Sequence, residues 1–569
     1  MPSAADALSQ GPQQFFAAQL PQALTELMQG GLFNGEMMSA DDQALRQALM
    51  QEWQGRHMQL WQQMLNADKN QSLPLVVSAS AGDRRFAHPA WKESQPHDYL
   101  RQAYLLNAEY LQRFAGIAPE SREKQKAVFL ARQIMDAMAP SNFIATNPEF
   151  IQTALETQGE SIRQGIQNLI GDLEKGRISM TDETAFEVGR NLATTPGAVI
   201  YENAVMQLIQ YAPQTKKVAA RPLLIVPPCI NKFYILDLQP ENSLVRYAVA
   251  QGNTVFLVSW RNVHADLGHL TWDDYIEQGP LTAIRVMQQI RGVSQVNALG
   301  FCVGGTILAS ALAVARQRGE DPVASLTLLT TLLDFSDTGE IGYFIDEQLV
   351  AAREASVGKG GLLPGRELSA VFSALRANDL IWQYVVSNYL KGNKPAAFDL
   401  LYWNSDATNL PGPFLAWYLR HMYLENSLRV PGQLEMCGVK VDIGRVDMPV
   451  FMLACREDHI VPWKTSYLGR SLLGGKSQFV LGASGHIAGV INPASKNKRS
   501  YWTNNRKTKK AGADEWLATA TEVKGSWWPL WSEWLSTLGG DEIPAPRRPG
   551  SADFSVIEAA PGRYVKEKA

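Results

Sequence analysis

The sequence has few cysteines, no excess of charge of either sign and no export signal, and each shortage excludes a class of protein. Only four of its 569 residues are cysteine and no two form a Cys-x-x-Cys pair, so we expect neither a disulfide framework nor a zinc site, and a cytoplasmic location fits best. Basic side chains number 53 and acidic ones 56, a balance that gives no reason to expect nucleic acid as a partner. The first basic residue is Arg46, so the positive start of a secretory signal is missing.

One uncharged run of 24 residues, from Gly292 to Ala315, is long enough to cross a bilayer. Four glycines interrupt it, its first half has strand character, and its second half has helical character. These features predict a buried strand, a tight turn and a buried helix, so we expect no transmembrane segment here.

The N-terminal part of the chain is predicted to be mostly helical. Residues 1 to about 75 are rich in Gln, Ala, Leu and Met, with apolar residues at helical spacing, and helical patterns continue from Tyr99 to about Gln210. At about 100 to 200 residues per domain, a chain of this length has room for more than one unit. We therefore expect a helical domain over residues 1–200.

Beyond Ala220 the pattern changes to short apolar runs that alternate with helical stretches. Such runs are typical of strands buried on both faces, so residues 201–569 are predicted to form an α/β domain with a largely parallel sheet. The predicted strands are Leu223–Val226, Thr254–Trp260, Val296–Phe301, Leu326–Leu333, Val450–Ala454 and Phe479–Leu481. Residues 336–446 break this rhythm with several aromatic side chains, which favours an inserted cap over the sheet. Six tryptophans between Trp502 and Trp534 are predicted to be packing anchors.

The segment Gly-Phe-Cys-Val-Gly at residues 300–304 joins a predicted strand to a predicted helix. This is the context of a nucleophile elbow, here with Cys302 in place of the usual serine. Glycines flank such a nucleophile because a neighbouring Cβ would collide with the sheet and the helix in the strained turn. The alternative is that Cys302 is a small buried hydrophobic side chain in a tight turn.

An acid and a histidine follow the last two predicted strands. Asp458 comes shortly after Val450–Ala454, and His486 comes shortly after Phe479–Leu481. The chain order nucleophile, aspartate, histidine is that of α/β-hydrolases. In this arrangement His486 takes the thiol proton or stabilises the thiolate, and Asp458 fixes the imidazole tautomer. The backbone amides of Val303 and Ile230 are predicted to form the oxyanion hole.

Other side chains near these positions have simpler interpretations. His459 adjoins Asp458 and could act as a second base, although we expect it to steer the loop or face solvent. The thiol of Cys229 is predicted to pack where its strand ends. Cys437 and Cys455 lack an elbow and are predicted to be structural. We expect no metal and no cofactor.

At these residues the chain resembles class I polyhydroxyalkanoate synthases, over nearly the whole of residues 200–569. The matching phrases are Pro-Pro-Cys-Ile-Asn-Lys at 227–232, Val-Ser-Trp-Arg at 258–261, Gly-Phe-Cys-Val-Gly-Gly at 300–305, Arg-Glu-Asp-His at 456–459, Gly-His-Ile-Ala-Gly at 485–489, and Ala-Met-Ala-Pro-Ser-Asn-Phe at 137–143. The resemblance implies that Cys302 is the nucleophile, Asp458 the aspartate and His486 the histidine, on an α/β-hydrolase fold with a cap.

The resemblance also implies a reaction and a setting. The reaction is polymerisation of (R)-3-hydroxyacyl-CoA, with 3-hydroxybutyryl-CoA expected as substrate, into a polyester with release of CoA through a cysteine thioester. The setting is a homodimer on the surface of cytoplasmic polyester granules, with an N-terminal domain concerned with association and granule attachment.

Two other functions remain open from the sequence. The same three side chains could serve a cysteine-dependent hydrolase of small esters or lactones, with water as the acyl acceptor. A granule-coating or scaffold protein with a vestigial elbow is the third possibility. Product analysis separates the first two, and selective labelling of Cys302 tests the third.

Overall fold

The computed structural model describes residues 39–67, 72–80, 82–117, 121–504 and 511–569. The chain divides into two units: one comprises residues up to Glu183 together with Ala370–Phe398, and the other comprises Thr184–Ser369 and Asp399–Ala569. The division falls ahead of the boundary expected near residue 200, because a strand that begins at Gly197 belongs to the sheet of the second unit. The helices predicted within residues 1–38 lie outside the described residues.

The first unit is helical in its described part. Its α-helices are α1 Ala40–Asn66, α2 Ala90–Glu93, α3 Gln95–Ala115, α4 Arg122–Ala137, α5 Pro148–Glu156 and α6 Glu160–Lys175. Side chains before the helices fix where several of them begin: Ser39 forms a capping box with Asp42, and Ser121 and Asn147 accept hydrogen bonds from first-turn amides of α4 and α5. A small core forms around Trp91, which is fully buried.

The helical prediction is wrong between residues 197 and 211. The chain forms two antiparallel strands there, β1 Gly197–Glu202 and β2 Met206–Tyr211. The spacing of the apolar residues here is compatible with the period of a helix or of a strand, as for Val205, Met206, Leu208 and Ile209. Pairing with distant segments determines that the segment forms strands.

The second unit is built on an 11-stranded sheet. The remaining strands of this unit are β3 Lys217–Ala219, β4 Leu223–Val226, β5 Val255–Trp260, β6 Val296–Phe301, β7 Val323–Leu329, β8 Leu362–Leu363, β9 Leu410–Pro411, β10 Glu435–Met436, β11 Val439–Lys440, β12 Val450–Cys455, β13 Ser477–Gly482, β14 Ser500–Thr503, β15 Thr521–Lys524, β16 Glu542–Pro544 and β17 Glu558–Ala559. The sheet order is β15-β14-β13-β12-β7-β6-β4-β5-β2-β1-β17.

The six predicted strands are the six that pair in parallel at the centre of this sheet, from β13 to β5. The antiparallel strands at both edges complete it. Because the central strands are parallel, their carboxyl ends lie along one edge, where ligands bind in open α/β sheets.

Helices cover both faces of the sheet. The α-helices that follow β4 in the chain, including those of the insertion, are α7 Leu244–Ala250, α8 Trp272–Ile276, α9 Thr282–Arg291, α10 Val303–Gln317, α11 Glu347–Val357, α12 Gly365–Leu375, α13 Asp399–Ser405, α14 Gly412–Tyr418, α15 Trp463–Gly469, α16 His486–Val490, α17 Ala513–Ala518 and α18 Trp528–Ser536. Alternate residues of β12 enter two separate cores, with α9 and α10 in one and α7 and α18 in the other. The three layers confirm the predicted α/β architecture.

The uncharged run at 292–315 forms strand β6, a turn and helix α10, as predicted. No helix in the described part of the chain is long and apolar enough to span a membrane.

Candidate active site

Cys302 lies in the turn between β6 and α10, where the backbone is strained. Its φ of 54° and ψ of −130° are unfavourable for a residue with a side chain. The turn is held from both sides, because the Cys302 amide donates to the Leu329 carbonyl at 2.9 Å and the Cys302 carbonyl accepts from the Gly305 amide at 2.9 Å. These two hydrogen bonds therefore hold the strained turn and fix the partly exposed Cys302 at the carboxyl end of β6.

The glycines of this turn allow the helix to approach the sheet closely. A Cβ built on Gly300 lies 2.4 Å from the Gly305 Cα, and a Cβ built on Gly304 lies 2.4 Å from the carbonyl oxygens of Val226 and Pro227. Both separations are far shorter than any tolerated carbon–carbon or carbon–oxygen contact. The start of α10 is thus packed directly against the end of β4, as the sequence predicted for an elbow.

We expect Gly304→Ala to force this helix start away from β4. The substitution should lower the free energy of unfolding by about 1–3 kcal/mol or more, as for other overpacked sites, and should slow alkylation of Cys302 because the turn that presents the thiol moves. Denaturant unfolding followed by circular dichroism and iodoacetamide kinetics measure the two effects.

Gly171→Ala is the matched control, because Gly171 lies inside α6 and nothing lies within 4 Å of a Cβ at this position. It should leave stability unchanged or raise it by a few tenths of a kcal/mol to about 1 kcal/mol. A Gly304→Ala protein as stable as the parent would show that the elbow is not tightly packed.

His486 and Asp458 meet at the same edge of the sheet. The imidazole Nδ1 lies 2.7 Å from Asp458 Oδ2, and both side chains are buried. The other carboxylate oxygen, Oδ1, accepts from the amides of Ile460 at 2.9 Å and Val461 at 2.8 Å. Asp458 is therefore fixed from both sides, with one oxygen on His486 and the other on its own loop.

The thiol of Cys302 lies near His486, close enough to contribute to the raised pKa of the imidazole. Because Asp458 occupies Nδ1, the other ring nitrogen, Nε2, is left for the sulfur. The His486 ring also stacks on Phe301, with ring centres 5.6 Å apart. The structure thus brings together the three side chains that the sequence singled out from three different loops.

Asp458 and Cys302 together raise the pKa of His486. Burial alone lowers this pKa, but the Asp458 carboxylate and Cys302 outweigh it through charge and hydrogen bonding, and the pKa rises from 6.5 to about 10. At neutral pH the imidazole is therefore protonated next to the sulfur. An imidazole placed beside a cysteine sulfur is the arrangement by which an adjacent base activates a nucleophile.

The loops that carry Asp458 and His486 are joined by backbone hydrogen bonds. The Arg456 amide donates to Gly482 and the Glu457 amide donates to Ser484. Helix α16, which begins at His486, is held at its other end by two buried indoles: Trp527 Nε1 donates to the Gly489 carbonyl and Trp528 Nε1 to the Val490 carbonyl, both at 3.0 Å. These two tryptophans are packing anchors, as predicted.

The two predicted oxyanion donors belong to the elbow itself and to the loop after β4. Val303 is the first residue of α10, where backbone amides have no partner within the helix. Ile230 lies in the loop after β4, four residues beyond the strand end. The Cys229 carbonyl in this loop accepts a hydrogen bond from Thr408 Oγ1 at 2.9 Å, so the peptide that carries the Ile230 amide is anchored.

The remaining cysteines are unsuited to nucleophilic chemistry. Burial raises the pKa of Cys229 and of Cys455 well above the usual thiol range, and it raises the pKa of Cys437 to about 12. All three thiols are therefore protonated at neutral pH, as expected for structural cysteines.

Two tyrosines of the predicted cap reach the same site. The rings of Tyr418 and Tyr423 pack edge to face with their centres 5.2 Å apart. Their pKa values are raised well above the usual range, first by burial and also by the nearby Cys302. Sequence reasoning predicted several aromatic side chains in the cap but assigned neither tyrosine to the site. Residues 399–446 of the insertion thus contribute to the carboxyl edge of the sheet beside the elbow.

Comparison with known proteins identifies the family of the chain. A family profile described as "Poly-beta-hydroxybutyrate polymerase (PhaC) N-terminus" matches residues 82–248, and one described as "alpha/beta hydrolase fold" matches residues 222–493. The poly(3-hydroxyalkanoate) polymerase subunit PhaC of Cupriavidus necator is 55% identical over 516 residues, which cover 90% of this chain and 86% of that protein. The poly(3-hydroxyalkanoate) polymerase of Methylorubrum extorquens is 42% identical over 516 residues, with coverage of 90% and 85%.

A solved structure, the monoacylglycerol lipase of Paleococcus ferrophilus, is 13% identical with a TM-score of 0.31 and covers 49% of this chain and 90% of that one. The identity to the polymerases over nine-tenths of the chain confirms the predicted family, and the hydrolase profile confirms the fold. The chain therefore belongs to the poly(3-hydroxyalkanoate) polymerase family, and it is an acyltransferase with an α/β-hydrolase fold.

Proposed function

We propose that the chain polymerises (R)-3-hydroxyacyl-CoA, with (R)-3-hydroxybutyryl-CoA as its substrate, into polyester through a thioester on Cys302. The observation that carries this proposal is the cluster of Cys302, His486 and Asp458 at the carboxyl edge of the sheet in a member of this family. The reaction exchanges acyl groups without a change of oxidation state, so it needs no cofactor beyond the CoA of the substrate.

Loading begins with attack of the Cys302 sulfur on the carbonyl carbon of the acyl-CoA thioester. The C–S bond to CoA breaks, and His486 delivers the proton that it took from the thiol to the departing CoA sulfur. One thioester replaces another, so the step is nearly balanced in free energy. The amides of Val303 and Ile230 stabilise the negative oxygen of the tetrahedral intermediate.

Elongation requires a base for the 3-hydroxyl of the incoming unit. In the acylated enzyme Cys302 bears no charge, so one of the two groups that raise the pKa of His486 is gone and this pKa falls. The imidazole is then a better proton acceptor at neutral pH than in the free enzyme. It takes the hydroxyl proton while the oxygen attacks a thioester carbonyl. The C–S bond of that thioester breaks, an ester forms, and His486 passes the proton to the sulfur that leaves.

Water must be kept from the acyl-enzyme, because hydrolysis ends the chain. The cap residues Tyr418 and Tyr423, both close to Cys302, supply aromatic surface at the elbow. We infer that the cap excludes water in this way.

We further propose that the enzyme works as a homodimer on cytoplasmic polyester granules, with the N-terminal unit as the attachment element. Helix α6 supports attachment, because it exposes the apolar residues Ile162, Ile166, Ile170 and Leu173. Elsewhere on the helix, the buried Asp172 accepts a hydrogen bond from Tyr389 at 2.7 Å. An apolar helix face that is exposed to water is typical of a site that meets another apolar surface.

The products of purified protein test the reaction class. With (R)-3-hydroxyacyl-CoA substrates of four to eight carbons, we expect CoA release together with insoluble polymer, with the highest rate for the four-carbon unit. Thiol titration follows CoA, and turbidity with methanolysis of the pellet follows polymer. Release of CoA with free 3-hydroxy acid and no polymer would instead favour the ester or lactone hydrolase.

A further inference from the structure

The loop that carries the proposed oxyanion donor Ile230 ends in a buried lysine. Lys232 is only 2% exposed, and its ammonium group donates to the backbone carbonyl of Glu567 at 2.6 Å. Burying an ammonium group is costly unless it is well paired, and burial lowers the pKa of Lys232 to about 8, despite the nearby Asp406. The Lys232 side chain thus joins the loop to the C-terminal segment at Glu567, 335 residues further along the chain.

Residues 403–408 hold the same loop from another side. Trp403 Nε1 donates to the Lys232 carbonyl at 2.7 Å, and Thr408 Oγ1 donates to the Cys229 carbonyl at 2.9 Å. Between these two bonds, Asn231 forms an antiparallel bridge with Ala407. Ile230 therefore lies within a stretch whose two ends are both tied to residues 403–408.

The C-terminal segment completes a ring of three segments. Lys568 Nζ donates to Asp406 Oδ1 at 2.9 Å, while Tyr234, just after the loop, donates to the other oxygen of Asp406 at 2.9 Å. Asn262, which is fully buried, donates to the Lys568 carbonyl at 2.7 Å and accepts from the Asn409 amide at 2.9 Å. The loop, residues 403–409 and residues 567–568 thus hold one another in place.

From this ring we propose that Lys232 is a positioning residue, which through Glu567 and Lys568 holds the backbone amide of Ile230 where it can stabilise the oxyanion. The proposal rests on the proposed function. A hydrogen-bond donor assists acyl transfer only if it is fixed at the place where negative charge develops. With hydrogen bonds to residues 403–408 alone, the loop could still tilt about that contact. The hydrogen bond from Lys232 to Glu567 adds a second contact, with the C-terminal segment.

The test compares acyl transfer with alkylation of Cys302 in Lys232→Met. Alkylation by iodoacetamide needs the thiolate but creates no oxyanion, so it reports the nucleophile alone. We expect kcat for CoA release from (R)-3-hydroxybutyryl-CoA to fall by roughly 10- to 100-fold, the scale of a misplaced group. KM and the alkylation rate constant should stay within about twofold of the parent values.

Two further variants complete the design. Lys568→Met removes the hydrogen bond from Lys568 to Asp406. It should lower kcat by a smaller factor and leave KM and the alkylation rate constant near the parent values. This variant tests the proposal if Lys232→Met does not fold. Lys566→Met is the control, because Lys566 is exposed in the same segment, and it should match the parent.

Unchanged kcat in Lys232→Met, or in Lys568→Met where the first variant does not fold, overturns the proposal. A parallel loss of kcat and alkylation also overturns it, because the substitution then disturbs the nucleophile and not the oxyanion donor. A parent protein that makes no polymer would refute the proposed function, and the parent measurement separates that outcome from failure of the positioning role.

Discussion

Replacing Cys302 by alanine abolishes CoA release and polymer formation. The expected loss is about 10⁴- to 10⁶-fold, to the background rate, because without the sulfur no acyl-enzyme forms and the remaining groups have nothing to activate. The fold should survive, since the side chain is small, partly exposed and at the surface of a backbone turn that is fixed by its own hydrogen bonds. Thiol titration of released CoA and methanolysis of any insoluble product measure the loss.

Cys437→Ala is the matched control. Cys437 is also partly exposed and also has a positive φ, of 50°, but it lies between β10 and β11 and has no histidine partner. This variant should keep the parent rate, and iodoacetamide should still inactivate it. An active Cys302→Ala protein would refute the thioester mechanism and would turn attention to a hydroxyl or water nucleophile.

The central sheet could be predicted from the sequence because its signal is local. The parallel strands are short, mainly apolar runs, and every residue of β4, β5, β6 and β12 is buried. The edge strands carry no such signal. Strand β2 contains Gln207 and Gln210, whose buried amides bond to Glu558 and Gly550 more than 300 residues away. Polar side chains satisfied by such distant partners cannot be recognised as strand residues from their neighbours.

The same distinction applies to the site. Cys302, Asp458 and His486 could be singled out because each follows a recognisable strand, and parallel strands bring such residues to one edge. Tyr423 and Lys232 have no comparable signal, since their positions depend on the irregular insertion and on the C-terminal segment. The division of the chain also depends on contacts between distant residues, because residues 370–398 belong with the N-terminal unit.

Asp458→Asn should lower kcat by about 10²- to 10⁴-fold while leaving KM nearly unchanged. The amide keeps an oxygen for the amides of Ile460 and Val461, so its NH₂ group faces Nδ1 of His486. A donor at Nδ1 moves the imidazole proton to Nε2, the nitrogen that must accept the thiol proton. The substitution therefore leaves the loop in place and reverses the tautomer.

The pH dependence of Cys302 alkylation gives this prediction its sharpest readout. Asp458 is the strongest of the groups that raise the pKa of His486 to about 10, so its replacement by a neutral amide lowers this pKa and leaves less imidazolium at neutral pH. With less positive charge beside the sulfur, alkylation at pH 7 slows, and it recovers as rising pH ionises the thiol directly. Glu457→Gln, an exposed carboxylate one residue away, should keep the parent profile. If the Asp458→Asn profile coincided with the parent profile, Asp458 would not govern the charge of His486, and its role would be limited to anchoring its own loop.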